Sequence, residues 1–316
     1  MSNSSTVSEL ESLVGLESAK KLVKRLASNC DIVHAVMFYG VKGAGKRTLA
    51  RILAKAWQCL NPTEEGACGE CKACTAFEHG NGVDLLEINP KGPSSIIRIQ
   101  SILEGKTNDE PELSIQEFLR TSPLRCKRKI VIMLAADRMN GTASNALLKT
   151  LEEPPSFAKL ILTTNSVGHL PATTISRCVM IKCELPAPET YADSSVNPRL
   201  FAAEDGGPGR LSLIIKHRDW YESMLAFTDR LTALPRTAAL LASEDFKSLC
   251  DRRQEGFQEA ARFAQEESLR VLANLLENSE RARIDPSPIV EAHRRIIGNG
   301  NSGLILDSLF AQLLAG

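Results

Sequence analysis

Two clusters of residues in this sequence have types and spacings that could do chemistry. The first is Gly40-Val41-Lys42-Gly43-Ala44-Gly45-Lys46, which fits the G-x-x-x-x-G-K phosphate-binding loop. Its glycines let successive backbone N–H groups converge on phosphate oxygens, and a helix N-terminus behind them adds positive potential. Lys46 would reach the outer phosphates of a nucleotide. The next position should be Ser or Thr to hold magnesium, but the chain has Arg47, with Thr48 one place late. The second cluster is Cys59, Cys68, Cys71 and Cys74, in which the last two gaps are C-x-x-C. Four thiolates suit a closed tetrahedral zinc site that staples a loop too small for a core of its own. No coordination position is left for water, so zinc there is expected to be structural.

The elements around these residues follow from periodicity. Val36–Tyr39 reads as a buried strand leading into the glycine loop, and Leu49, Ile52, Leu53 and Ala56 mark one face of the helix behind it. Ser18–Ser28 reads as an amphipathic helix with Leu22, Val23 and Leu26 inward. Asp84–Ile88, Ile130–Leu134, Leu160–Thr163 and Cys178–Lys182 read as further strands. Asn145–Glu153 is helical and must stop before Pro154-Pro155, because a residue preceding proline avoids the α region. Strands alternating with helices over residues 1–184 predict an α/β domain with a parallel sheet. Leu185-Pro186-Ala187-Pro188 reads as a linker or domain edge. Beyond it two helical parts are expected, 185–228 and 229–316. Phe257, Ala261, Ala264, Leu272, Leu275 and Leu276, then Leu306, Leu309, Phe310 and Leu313, form stripes of bundle core.

A chain of 316 residues predicts two or three domains. Its 38 basic residues balance 38 acidic ones, which argues against a strong grip on nucleic acid by the chain alone. There is no apolar signal core and no run of about eighteen apolar residues, so a cytoplasmic protein without membrane partners is expected. Nine cysteines in a reducing compartment point to metal rather than disulfides. Arg125–Lys129 reads as a solvated basic loop, and DNA contact is the lesser reading. Thr163, Thr164 and Asn165 are placed to end a strand beside the glycine loop.

The residues resemble one family: the AAA+ subunits of the bacterial DNA polymerase III clamp loader. The likeness runs through nearly all of residues 11–215. Leu13-Val14-Gly15 resembles the family's opening box, and His34-Ala35 and the P-loop match. The cysteine insertion after the P-loop helix is typical of this branch. Asn145-Ala146-Leu147-Leu148-Lys149-Thr150-Leu151-Glu152-Glu153-Pro154-Pro155 is close to the family signature, and Ser176-Arg177-Cys178 is similar to the clamp-loader Ser-Arg-Cys motif. The resemblance implies a RecA-like AAA+ domain with a zinc module at 59–74, a small helical lid over 185–228, and a helical collar over 229–316 that assembles the complex. It also implies that Arg177 acts in trans on the γ-phosphate held by a neighbouring subunit. The implied partners are gamma/tau-type and delta-type subunits, the sliding clamp, and primed DNA within the complex.

The departures from the family matter most. ATPase members carry Asp-Glu at the end of the strand before the signature; the Asp helps hold magnesium and the Glu orients water. Counting back from Asn145 places Leu134 and Ala135 there, with Asp137 at a second, non-catalytic acid. With Arg47, all three groups that manage magnesium and water are missing, a pattern that resembles the non-hydrolysing delta-prime type. ATP binding stays open, because Gly40–Lys46 is intact. Gly206-Gly207-Pro208-Gly209-Arg210 is similar to a delta-prime segment; Arg210 is read as a surface arginine, with nucleotide sensing as the other reading. The chain ends without the long tail of some ATPase subunits. The alternatives are an active gamma/tau-type ATPase with a magnesium site on Thr48 and Asp137, and a stand-alone P-loop kinase or NTPase with a zinc finger. The signature and the Ser-Arg-Cys segment count against the latter.

Overall fold

A computed structural model describes residues 6–63, 66–90, 96–103, 113–187, 196–204, 207–231, 233–278, 284–298 and 300–315. Gly206 and Pro188, singled out above, lie outside them. The described residues up to 187 form one compact unit and those from 196 onward a second.

The first unit carries helices α1 (Thr6–Glu11) and α2 (Glu17–Ser28), strand β1 (Ala35–Tyr39), then α3 (Lys46–Gln58) and α4 (Lys72–Glu78). It continues with β2 (Leu85–Ile88), α5 (Ile115–Leu119), β3 (Lys129–Met133), α6 (Gly141–Glu152), β4 (Ala158–Thr164), α7 (Ala172–Ile175) and β5 (Val179–Lys182). The five strands are all parallel in the order β2-β3-β4-β1-β5, with Met37 opposite Leu162 on one side and Met180 on the other. Alternation along the strands feeds two cores. Val36, Phe38, Ile130, Ile132 and Ile161 pack with α3, whereas Met37, Val131, Met133, Leu160 and Leu162 pack with Phe118 and Leu147 from α5 and α6. This is the two-sided burial that parallel strands require.

The P-loop sits at the carboxyl end of β1, beside β4; the connection leaving β1 crosses the sheet one way to β2 and the one leaving β4 crosses the other way to β5, the kind of place where such folds bind ligands. α3 is buried almost all round. Besides its predicted stripe, Ala50, Ala54 and Trp57 are covered, and the Trp57 indole donates to the Leu26 carbonyl at 2.9 Å. Lys55, also buried, is held between Glu9 and Glu78. Leu22 departs from expectation: it is 40% exposed, and Ala19 and Ala27 complete the inner face of α2 with Val23 and Leu26.

The second unit consists of α8 (Pro198–Ala203), α9 (Pro208–Lys216), α10 (Arg218–Leu231), α11 (Ala239–Phe257), α12 (Ala261–Glu277), α13 (Ser287–Ile297) and α14 (Ser302–Leu313). The expected boundary at 228/229 falls inside α10. Met224, Phe227 and Leu231 of that helix share one apolar core with Phe246, Leu272 and Phe310, so packing does not break there. Ala261 leaves the predicted stripe and is exposed on the first turn of α12. Residues 185–187 belong to the first unit, where Leu185 packs on the α3 core.

Candidate functional site

β1 runs into Gly40, Gly43 and Gly45, whose φ angles are +144°, +85° and +82°. A Cβ at Gly40 would lie 2.2 Å from the Cys183 carbonyl oxygen, so only glycine fits that turn. Gly45 caps α3, and Lys46 opens it. The Lys46 ammonium donates to the carbonyls of Gly40 at 2.7 Å and Val41 at 2.6 Å. The lysine is thus drawn into its own loop, where a phosphate would have to compete with those carbonyls.

Arg47 stands where a magnesium-holding hydroxyl is wanted. Its guanidinium donates to Glu87 of β2 at 2.5 Å, and Arg51 takes the other carboxylate oxygen at 2.8 Å. Arg51 also lies over the Phe77 ring at 5.1 Å. Arg47 is therefore engaged with a carboxylate on the sheet. Thr48 is exposed on the adjacent face of the helix.

Leu134 is buried in the α3 core. Ala135, at φ +50°, donates its N–H to the Thr163 hydroxyl at 3.0 Å. The Asp137 carboxylate accepts from the Thr164 hydroxyl at 2.9 Å and the Asn165 N–H at 3.0 Å. Thr163, Thr164 and Asn165 thereby zip the ends of β3 and β4 together, and the acid proposed as a rival magnesium ligand is taken up in that zip.

The four cysteines converge. Cys59 caps the C-terminus of α3, Cys71 caps the N-terminus of α4, and all four sulfurs lie within 4.8 Å of one another. The sulfurs of Cys59 and Cys68 are 3.5 Å apart, Cys59 and Cys71 3.9 Å, and Cys71 and Cys74 3.5 Å. A regular tetrahedron of sulfurs about 2.3 Å from zinc has edges of about 3.8 Å. Backbone N–H groups of Cys68, Cys71 and Cys74 point at the sulfurs of Cys59, Cys68 and Cys71. Burial works against ionisation of Cys71, yet the N–H groups of Cys74 and Leu60 and the neighbouring thiols bring it down to about 6. Burial pushes Cys59 and Cys74 up. Thiols this crowded cannot all ionise unless a cation shares their charge, so the donor set fits a divalent soft metal. The module rests on the core of the sheet domain, into which Cys59, Ala67, Cys74 and Phe77 are packed.

Arg177 lies in the turn between α7 and β5. Its guanidinium donates to Glu152 at 2.6 Å and to the Thr173 carbonyl at 2.9 Å. Ser176 caps the same carbonyl, and Cys178 packs against the α6 side of the sheet, where burial pushes its thiol up to about 12.

Two expectations are corrected. Arg210 is not on the surface: it is 4% exposed, 2.9 Å from Glu204 and 2.8 Å from Glu267. Arg270 and the Tyr221 hydroxyl meet the same Glu204 carboxylate. Nor is the basic run wholly solvated. The N–H groups of Leu124, Arg125 and Cys126 close on the buried Asp84 carboxylate at 2.7–2.8 Å, and Lys129 is buried with its ammonium on Phe118 O and Thr121. Glu87, Glu152 and Asp84 had no role assigned from sequence. An acid inside an otherwise apolar strand was the one available signal for Glu87.

Residues 15–186, more than half of the chain, match the family described as DNA polymerase III, delta subunit. The chain is 34% identical over 165 residues to the DNA polymerase III subunit delta' of Pseudomonas aeruginosa, covering 52% of this chain and 47% of that one. It is 33% identical over 146 residues to the tau/gamma subunit of Haemophilus influenzae, covering 46% of this chain and 19% of that one. The chain thus spans less than half the length of either relative. A solved gamma subunit-related protein from Thermotoga maritima aligns at 21% identity and a TM-score of 0.48, covering 93% of this chain and 98% of that one.

Proposed function

Because this chain belongs to the DNA polymerase III delta subunit family, we propose that it is a clamp-loader subunit of the delta-prime type, which does not hydrolyse ATP and serves a neighbour's site. The observation that carries this reading is Leu134 and Ala135 at the end of β3, where an ATPase needs a magnesium ligand and a water-orienting acid. The engagement of Arg47 with Glu87 and of Asp137 with Thr164 and Asn165 supports it. On this reading gamma/tau-type and delta-type subunits are its neighbours. The sliding clamp and primed DNA are met within the assembled complex in the cytoplasm. The helices of the second unit supply lid and collar, on the one apolar core they share, and zinc holds the cysteine module. Gly40, Gly43, Gly45 and Lys46 retain a nucleotide cradle whose use is structural.

The tau/gamma relative at similar identity favours a second reading, an active ATPase. Incubating the purified chain with ATP and magnesium separates the two. Phosphate release at background, unchanged by Lys46→Ala, is expected; steady release that Lys46→Ala abolishes would overturn the delta-prime reading.

A further inference from the structure

Resting on the reading of Arg177 as a residue that acts in trans, we propose that Glu152 is a latch: its carboxylate occupies the guanidinium face that a neighbour's phosphate would take, and holds the arginine back until that phosphate displaces it.

The geometry is specific. Nη2 of Arg177 donates to Glu152 Oε1 at 2.6 Å, while Nη1 is held by the Thr173 carbonyl at 2.9 Å and reaches the Ser176 hydroxyl at 3.4 Å. Two anchors on one nitrogen fix the root of the guanidinium to the α7 turn. Among the described residues, the other terminal nitrogen, Nη2, is held by the Glu152 carboxylate. A carboxylate oxygen and a phosphate oxygen are both anionic acceptors for an arginine N–H, so they compete for Nη2.

Position and exposure fit a contact meant to be exchanged. Arg177 and Glu152 are 32% and 46% exposed, so a partner surface can reach the pair, and water screening keeps it weak. Glu152 is the last residue of α6, where the helix terminus is already negative, and Glu153 follows it. Pro154-Pro155 prevents the helix from continuing, which pins the carboxylate at that end. A phosphoryl group carrying more charge than a carboxylate, presented by a docked neighbour, would take Nη2 while the Thr173 anchor stays in place. Glu152 is thus a positioning residue, acting through Arg177 on the population of the competent state. A competent state that is only partly populated weakens apparent affinity in proportion.

The test uses the complete reconstituted loader with the full chain, comparing wild type, Glu152→Gln, Arg177→Ala and the double variant. Glu152→Gln should lower KM for ATP by about 1.5–5-fold, the ratio an exposed ion pair corresponds to, without lowering kcat. The double variant should match Arg177→Ala alone. If Arg177→Ala slows turnover while Glu152→Gln leaves KM where it was, the latch is overturned and the donor reading stands. A fall in kcat with Glu152→Gln would mean that the carboxylate supports the arginine in the working state, which also overturns the latch. Full turnover with Arg177→Ala removes the donor reading and the latch together. Glu152→Ala, with melting temperature followed in parallel, guards against an effect peculiar to the amide, and the same fall in KM is expected from it.

Discussion

Arg47 and Glu87, 40 residues apart in sequence, meet at 2.5 Å across the start of α3 and strand β2. The residue after the P-loop lysine is thus committed to an ion pair with the sheet rather than to magnesium. Arg47→Thr should therefore release Glu87 to Arg51 alone and restore a hydroxyl at the metal position. It should still leave phosphate release at background, because Leu134 and Ala135 supply no carboxylate. Titration with fluorescent ATP in magnesium, beside a phosphate-release assay, checks this: tighter binding without turnover is expected.

The cysteine module should hold one zinc per chain. Cys74→Ser should reduce the zinc found by elemental analysis to well below one equivalent. Metal binding here is coupled to local folding, so chelation should raise hydrogen exchange over residues 59–74. The strands of the sheet, whose core extends well beyond the module, should stay protected.

Asp84 should contribute to the loss of stability in acid. Burial alone would raise its pKa, but the N–H groups of Leu124, Arg125 and Cys126 outweigh burial and hold it below the usual carboxylate range. The unfolded chain then binds the proton more readily than the folded one. The contribution is complete above about pH 4 and is lost as pH falls through the folded value. Asp84→Asn should cost about 1.5–3 kcal/mol at neutral pH, the size of one hydrogen bond to a charged group, since the amide keeps an acceptor but loses the charge. It should also flatten the decline of stability below pH 4, as read from urea unfolding at a series of pH values.

Arg210 should matter for folding and not for nucleotide. Removing one partner of a buried ion pair costs about 3–5 kcal/mol. Arg210→Ala takes one cation away from both Glu204 and Glu267, although Arg270 still meets each of them and the Tyr221 hydroxyl still meets Glu204. Urea unfolding of the full chain should show a loss at the lower end of that range, with ATP affinity unchanged within error.

Arg177→Ala should leave the fold nearly intact, because an exposed ion pair contributes at most about 1 kcal/mol. Clamp- and DNA-stimulated ATPase of the reconstituted complex should fall, by about 10³–10⁵-fold at the site Arg177 faces, the range found for arginine fingers in GTPases. Arg177→Lys should rescue poorly, since an ammonium lacks the planar fork. Turnover measured with each variant beside melting temperature separates a catalytic loss from a folding one.

The sequence by itself determined the alternation of strands and helices, the glycine loop, the cysteine set and the missing acids at Leu134 and Ala135. Each of these is a local matter: apolar periodicity over ten residues, or a short run of residue types at fixed spacing. The tertiary structure alone decided what the charged side chains do. Arg47 finds Glu87 across 40 residues, Arg177 finds Glu152 across 25, and Arg210 finds Glu267 across 57. Asp84 finds its three N–H donors more than 39 residues downstream. An arginine on one helix face reads the same in sequence whether it meets water or a buried carboxylate. The difference lies in which elements the sheet order brings together, and a buried charge is tolerated only where that order supplies its partner.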